Sequence, residues 1–270
     1  MGALHTIDGG WQDAVDVYQK ALDRDPSQPW GHIGLANILT AMGRWQEAEA
    51  TARDGSKVAP LLPDAHNEVM HVLANSGRRD ESLPFLVRSL ELDPGHLNTR
   101  FLITITLAWM GRCQDSREPR LGEIGIGGAL AEAEYLLSEA CPDLPVCVMA
   151  AAYAFQRCQR TEDALQLHAR GEALAEGGYF SPAVLPRIRL IMGDREGALE
   201  ALEAALEVRD PSLRFVTNGT WNRTLRGYPR FETIVDRLGL PREKDWTAAD
   251  PMGIAPSSPA IEEPQSFPGS

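Results

Sequence analysis

The residues with most chemical potential in this chain are its glycines, carboxylates, histidines and cysteines. Gly122, Gly125, Gly127 and Gly128 crowd into one short run. Backbone N–H groups of such a run can cradle a phosphate, but the Gly-Lys-Ser/Thr ending is missing and no strand is predicted before it, so a flexible loop is expected. Asp23-Arg24-Asp25 has the carboxylate spacing of some metal-dependent sugar transferases. It falls at the end of a repeating unit, where Leu-Asp-x-Asp-Pro has a structural reading. His66 and His71 are five residues apart, which on one helix turns them to different faces. His32 and His66 occupy equivalent places in adjacent units, so packing roles are expected for them. Asn218-Gly219-Thr220 and Asn222-Arg223-Thr224 match the glycosylation acceptor pattern; without a secretory signal they read as polar turns. No Ser-His-Asp or Cys-His arrangement is brought together by any motif. The expectation is a protein that is not an enzyme, with no catalytic residue, no metal site and no cofactor.

The bulk composition narrows the partners. The 270 residues carry a net charge of −12, which repels phosphate backbones and acidic lipid, so neither nucleic acid nor a membrane is expected as partner. Hydrophobic residues make up 43%, enough for a core, yet no run reaches the roughly 18 apolar residues of a membrane span. Met1 to Gly10 has neither a basic region nor a long apolar stretch. The four cysteines Cys113, Cys141, Cys147 and Cys158 include no Cys-x-x-Cys pair. They read as reduced thiols of a cytoplasmic protein, although Cys141 and Cys147 flank a proline-containing turn that would allow a bond between them.

What must position these residues is a repeat. Gly9, Gly43, Gly77 and Gly111 are each 34 residues apart. Five residues after each stands Ala14, Ala48, Ser82 or Ser116, and seventeen after the first three stands Pro26, Pro60 or Pro94. The spacing predicts two antiparallel helices per unit. Small residues sit where the helices cross, because a large side chain would push the backbones apart. Glycine takes the helix-ending turn, and proline closes the second helix. One such pair cannot bury its apolar face alone, so neighbours must stack.

The second unit reads His32, Leu35-Ala36, Leu39, Gly43, Ala48, Ala52, Pro60; the third reads His66, Val69-Met70, Leu73, Gly77, Ser82, Leu86, Pro94; the first supplies Ala14, Tyr18, Ala21 and Pro26. This pattern resembles the tetratricopeptide repeat (TPR) family, with histidine twice replacing the usual first aromatic. The resemblance implies an all-α fold, a right-handed superhelical solenoid of stacked antiparallel helix pairs. About six units with C-terminal capping helices are expected over residues 1–241. In register, Met1 falls in the middle of a first helix, so the first unit is expected to lack half of it.

After Ser116 the register breaks, and an irregular loop near 112–128 is expected, with the delayed second helix at about Ala129 to Ala140. The spacing returns with Ala164 and Ala198, in units whose first helices lie near Val146–Arg157 and Pro182–Met192. Val208-Arg209-Asp210-Pro211, Leu225 to Phe231 and Arg237 to Pro241 resemble the closing segment of TPR regions in bacterial signalling proteins, some adenylate cyclases and winged-helix regulators among them. Residues 242–270 are rich in proline and are expected to be disordered.

The family register implies a concave, peptide-binding face lined by the first helix of each unit. It assigns to that groove Trp30, Ile33, Asn37 and Thr40; Asn67, His71 and Asn75; Phe101, Ile105 and Trp109; and Met149, Tyr153, Gln156 and Arg157. Aromatic anchors and amides suit a peptide or protein segment, whereas the basic clamp that holds chaperone tails is replaced by Phe101 and Ile105. The expected role is a scaffold for protein–protein interaction; the alternative is a detached regulatory segment of a bacterial signalling protein of the cyclase, kinase or winged-helix type.

Overall fold

The computed structural model describes residues 10–114, 122–176, 193–210 and 225–240, together with 186, 189, 190 and 213. Among the described residues the regular elements are all helices: α1 (Trp11–Arg24), α2 (Pro29–Ala41), α3 (Trp45–Val58), α4 (Pro63–Asn75), α5 (Arg79–Leu92), α6 (Leu97–Trp109), α7 (Ala129–Tyr135), α8 (Pro145–Arg157), α9 (Thr161–Glu176), α10 (Arg195–Glu207) and α11 (Pro229–Arg237). A π-helical turn, Leu136–Ala140, extends α7. The expected helix halves near Met1 and Pro182–Met192, the acceptor triplets at Asn218 and Asn222, and the 242–270 tail lie outside the described residues, apart from 186, 189 and 190.

Successive helices pair as α2 with α3, α4 with α5, α6 with α7 and α8 with α9. Each pair stacks on the next through α3 on α4 and α5 on α6, giving a helical solenoid. The small residues sit where close crossing demands them: Ala14, Ala48, Ser82, Ala164 and Ala198 have no exposed surface. A proline stands first in α2, α4, α8 and α11, where its missing N–H costs nothing.

The turns between paired helices are built alike. The N–H of Arg44, Arg78, Arg112 and Arg160 donates to the carbonyl of Leu39, Leu73, Leu107 and Phe155, closing each first helix with the same five-residue span. The residue before each arginine lies in the left-handed region: Gly43 (φ 70°), Gly77 (φ 90°), Gly111 (φ 70°) and Gln159 (φ 65°). Gly193 and Gly227 follow Gln159 at 34-residue steps, also with positive φ. Gln159 is therefore the missing member of the glycine series, displaced by the insertion between α6 and α7. A side chain in this conformation costs roughly 1–2 kcal/mol, partly offset by glycine's larger entropy loss on folding. Gln159→Gly is expected to raise stability by about 0.5–1 kcal/mol, read as a higher denaturation midpoint; a lower midpoint would show that the Gln159 side chain makes a contact worth more than the strain.

The insertion is anchored at its C-terminal end, which the expected flexible loop did not anticipate. Ala129 and Leu130 donate their N–H groups back to the Arg112 and Cys113 carbonyls, so α7 starts beside the point where the chain left α6. Ile126 is fully buried among the residues packed between α6, α7 and α8. The expectation of reduced thiols is overturned. Cys113 is bonded to Cys158 and Cys141 to Cys147, which leaves no free cysteine. The reason is spatial: Cys113 and Cys158 follow the ends of two neighbouring helices, with Cα atoms 5.6 Å apart. Closing a loop of 45 residues, this bond stabilises the fold by about 4 kcal/mol in the chain-entropy account.

The two ends of the described chain also touch. The Trp11 indole N–H, on α1, donates to the Leu238 carbonyl after α11 at 2.7 Å. Trp11, Ala14 and Val15 belong to the same buried cluster as Leu199, Leu202, Phe231, Ile234, Val235 and Leu238. The last described helices of the solenoid thus cover its first, α1.

Candidate binding surface

The first helices of successive units, α2, α4, α6 and α8, lie side by side in contact. Their N-terminal ends are tied to the preceding unit by one recurring bond. His32 and His66 place Nε2 2.9 and 3.0 Å from the carbonyls of Pro26 and Pro60. A carbonyl only accepts, so each ring carries its proton on Nε2. In the next unit Arg100 Nε donates to the Pro94 carbonyl at 2.9 Å. Histidine in place of the family's first aromatic is accordingly a hydrogen-bonded packing residue that links units, and none of these rings is oriented to a metal. Among the described residues no group of three His, Cys, Asp or Glu could hold a metal ion, and no helix is long and apolar enough to cross a membrane.

The residues assigned to the groove separate by exposure. Trp30 is 56% exposed. Ile33, Asn37, His71, Phe101, Ile105, Trp109 and Arg157 are half-buried, as are Asn75 and Gln156. Asn67, Met149, Tyr153 and Thr40 are buried. Asn67 Nδ2 lies 3.0 Å from Thr99 Oγ1, and Thr99 in turn meets Ser89 and His96, a polar network that holds α4, α5 and α6 together. Asn67 is thereby committed to the fold. Asn37 bridges units, donating to the Ile33 carbonyl and to Glu68 Oε2 at 2.6 Å.

The other end of the surface is cationic and aromatic. The Arg79 guanidinium lies over the Trp109 ring, 3.3 Å from its centroid. Arg157 Nη2 donates to the Trp109 carbonyl at 3.4 Å, which connects α8 to the end of α6. Burial pushes the Tyr153 hydroxyl well above the ordinary phenol range, against the opposing charges of Arg157 and Arg79, so it stays protonated. Asn37, over the buried Glu68, marks one end of this face, and Arg79 and Arg157 mark the other. Arg79 and Glu68 were not singled out by sequence. Arg79 starts a second helix, which the register places away from the groove, and Glu68 falls between two assigned positions.

Behind this surface, Arg100 Nη1 donates to both oxygens of Glu132 at 2.9 Å, and the Arg100 guanidinium lies 4.6 Å from the Tyr135 ring centroid. The pair is enclosed, with side-chain exposures of 11% and 3%. Desolvation raises the Glu132 carboxyl pKa, opposed by its bonds to Arg100.

The fold and its repeated turns define a solenoid of helix hairpins. Residues 7–67 match the family model for the tetratricopeptide repeat, so the chain contains tetratricopeptide repeats. Over 83 residues it is 28% identical to small glutamine-rich tetratricopeptide repeat-containing protein 2 of Mycosarcoma maydis, covering 31% of this chain and 24% of that protein. Over 94 residues it is 26% identical to the human protein O-mannosyl-transferase TMTC1, covering 35% of this chain and 11% of that one. The matches thus span about a quarter and about a tenth of these curated relatives. The solved structure of PilW, a widely conserved type IV pilus biogenesis factor, superposes with a TM-score of 0.50 at 16% identity, covering 86% of this chain and 94% of PilW; the likeness is one of fold.

Proposed function

We propose that this chain is a non-catalytic scaffold that binds a peptide or protein segment along the face formed by α2, α4, α6 and α8. The observation that carries the reading is the adjacency of these four helices, with Asn37, His71, Ile105, Trp109 and Arg157 half-buried along them. Half-buried aromatic and aliphatic side chains offer anchor area at small additional ordering cost, and the amides and arginine offer partners to a peptide backbone. Asn67, Met149 and Tyr153 support the surface from beneath. The acidic balance of the chain disfavours nucleic acid as the ligand.

The test is selection of binding peptides from a displayed random library against the intact chain, followed by titration of variants. Trp109→Ala and Ile105→Asp are expected to weaken a selected peptide at least tenfold, while Lys57→Ala, an exposed change on α3, leaves its affinity unchanged. Far-UV circular dichroism and melting of the Trp109→Ala protein are read alongside, because a lost helix signal would make Trp109 a core residue. Peptides that bind all three variants equally would overturn the groove.

A further inference from the structure

All four cysteines of the chain are consumed in two bonds, and in each case the backbone brings the partners together. Cys113 follows the turn that ends α6, fixed by the Arg112 N–H on the Leu107 carbonyl. Cys158 ends α8, with its own N–H on Ala154 and the Arg160 N–H on Phe155. These two anchored turns set the Cα atoms 5.6 Å apart, inside the range a disulfide spans. Cys141 and Cys147 bracket the entry to α8 with Cα atoms 6.1 Å apart, held by the Leu144 N–H on the Cys141 carbonyl and the Cys147 N–H on the Leu144 carbonyl. Cys147 has no exposed surface and Cys141 has 4%. No histidine or carboxylate cluster competes for these sulfurs as a metal site among the described residues.

We infer that this chain is a substrate of disulfide-forming oxidation and that its finished fold belongs to an oxidising compartment rather than to the cytosol. Cytosolic thiol pools keep structural cysteines reduced, so a pair of bonds that uses every thiol marks folding elsewhere. In each bond the two thiols lose two protons and two electrons as the S–S bond forms. The acceptor is the disulfide of a thiol–disulfide oxidoreductase, which leaves as a dithiol. The Cys113–Cys158 bond also reaches the binding surface: Cys158 adjoins Arg157, whose Nη2 holds the Trp109 carbonyl, and Cys113 stands four residues past Trp109. Oxidation therefore fastens the arginine-rich end of the surface in place, whatever that surface binds.

The experiment produces the full chain by export to a bacterial periplasm and, separately, by refolding reduced protein in a glutathione redox buffer. Thiols are alkylated under denaturing conditions with and without prior reduction, and the peptides are mapped by mass. The expected result is no alkylation before reduction, cross-linked peptides joining 113 to 158 and 141 to 147, and a melting temperature that falls by roughly 10 °C on reduction. The Cys113→Ser/Cys158→Ser protein should melt well below the oxidised parent and keep the 141–147 link. Four alkylated thiols in folded protein from both routes, mixed pairings, or a melting temperature indifferent to reductant would each overturn the inference.

Discussion

Replacing Arg100 with methionine is expected to destabilise the fold by about 3–5 kcal/mol, because it strands the Glu132 carboxylate in the interior. Glu132 is 3% exposed, and Arg100 Nη1 is bonded to both of its oxygens. The same change removes the donor to the Pro94 carbonyl and the cation over Tyr135. The loss should depend on pH, with a sign fixed by burial. Desolvation raises the Glu132 carboxyl in the folded state above its unfolded value, even with Arg100 present. A group shifted upward contributes most below its unfolded pKa and loses that contribution as pH rises through the folded value. Without the guanidinium the shift grows, so the gap between Arg100→Met and the parent should narrow as pH falls from 7 to 5. Arg100→Met/Glu132→Met should recover most of the loss, since a neutral pair needs no counter-charge. Urea unfolding of the three proteins at both pH values measures this. A loss below about 1 kcal/mol, or a double variant as weak as the single one, would show that the pair carries little of the stability.

The second large effect is at the contact between the chain's ends. Trp11→Ala is expected to cost about 3–5 kcal/mol, the usual penalty for emptying a buried tryptophan site. Trp11→Phe keeps most of the packing but leaves the Leu238 carbonyl without its indole donor, for about 1–3 kcal/mol. The diagnostic is where the loss appears. Amide exchange should quicken in α1 and in α11 together, because Trp11 and Leu238 lie in one buried cluster although 227 residues separate them. Faster exchange confined to α1 would mean that α11 is held by α10 alone, through Arg230 on Glu203 at 2.7 Å.

Much of the framework was legible because it is local. The 34-residue recurrence of glycine and small residues reports turns and helix crossings, and both are decided within one hairpin. Gly43, Gly77 and Gly111 adopt the conformation for which glycine is suited, and Ala48 and Ser82 have no exposed surface. The register broke at the insertion after Ser116 and returned with Ala164, five residues past Gln159, a non-glycine residue that adopts the same turn. Burial along the assigned face is not carried by the register. A register gives the direction of a side chain from its own helix, but the neighbour that covers it comes from another unit; Asn67 is buried by its bonding to Thr99, and Arg79 reaches Trp109 from a second helix.

The amino-acid sequence by itself determined that helices pair, where they turn and which small residues let them cross, since these depend on backbone conformation and steric contact within a few dozen residues. Only the tertiary structure decided that Cys113 meets Cys158, that Arg100 closes on Glu132 and that Trp11 meets Leu238. Those contacts join segments whose separation is set by the summed curvature of many stacked units and by one insertion, and no local spacing encodes that sum.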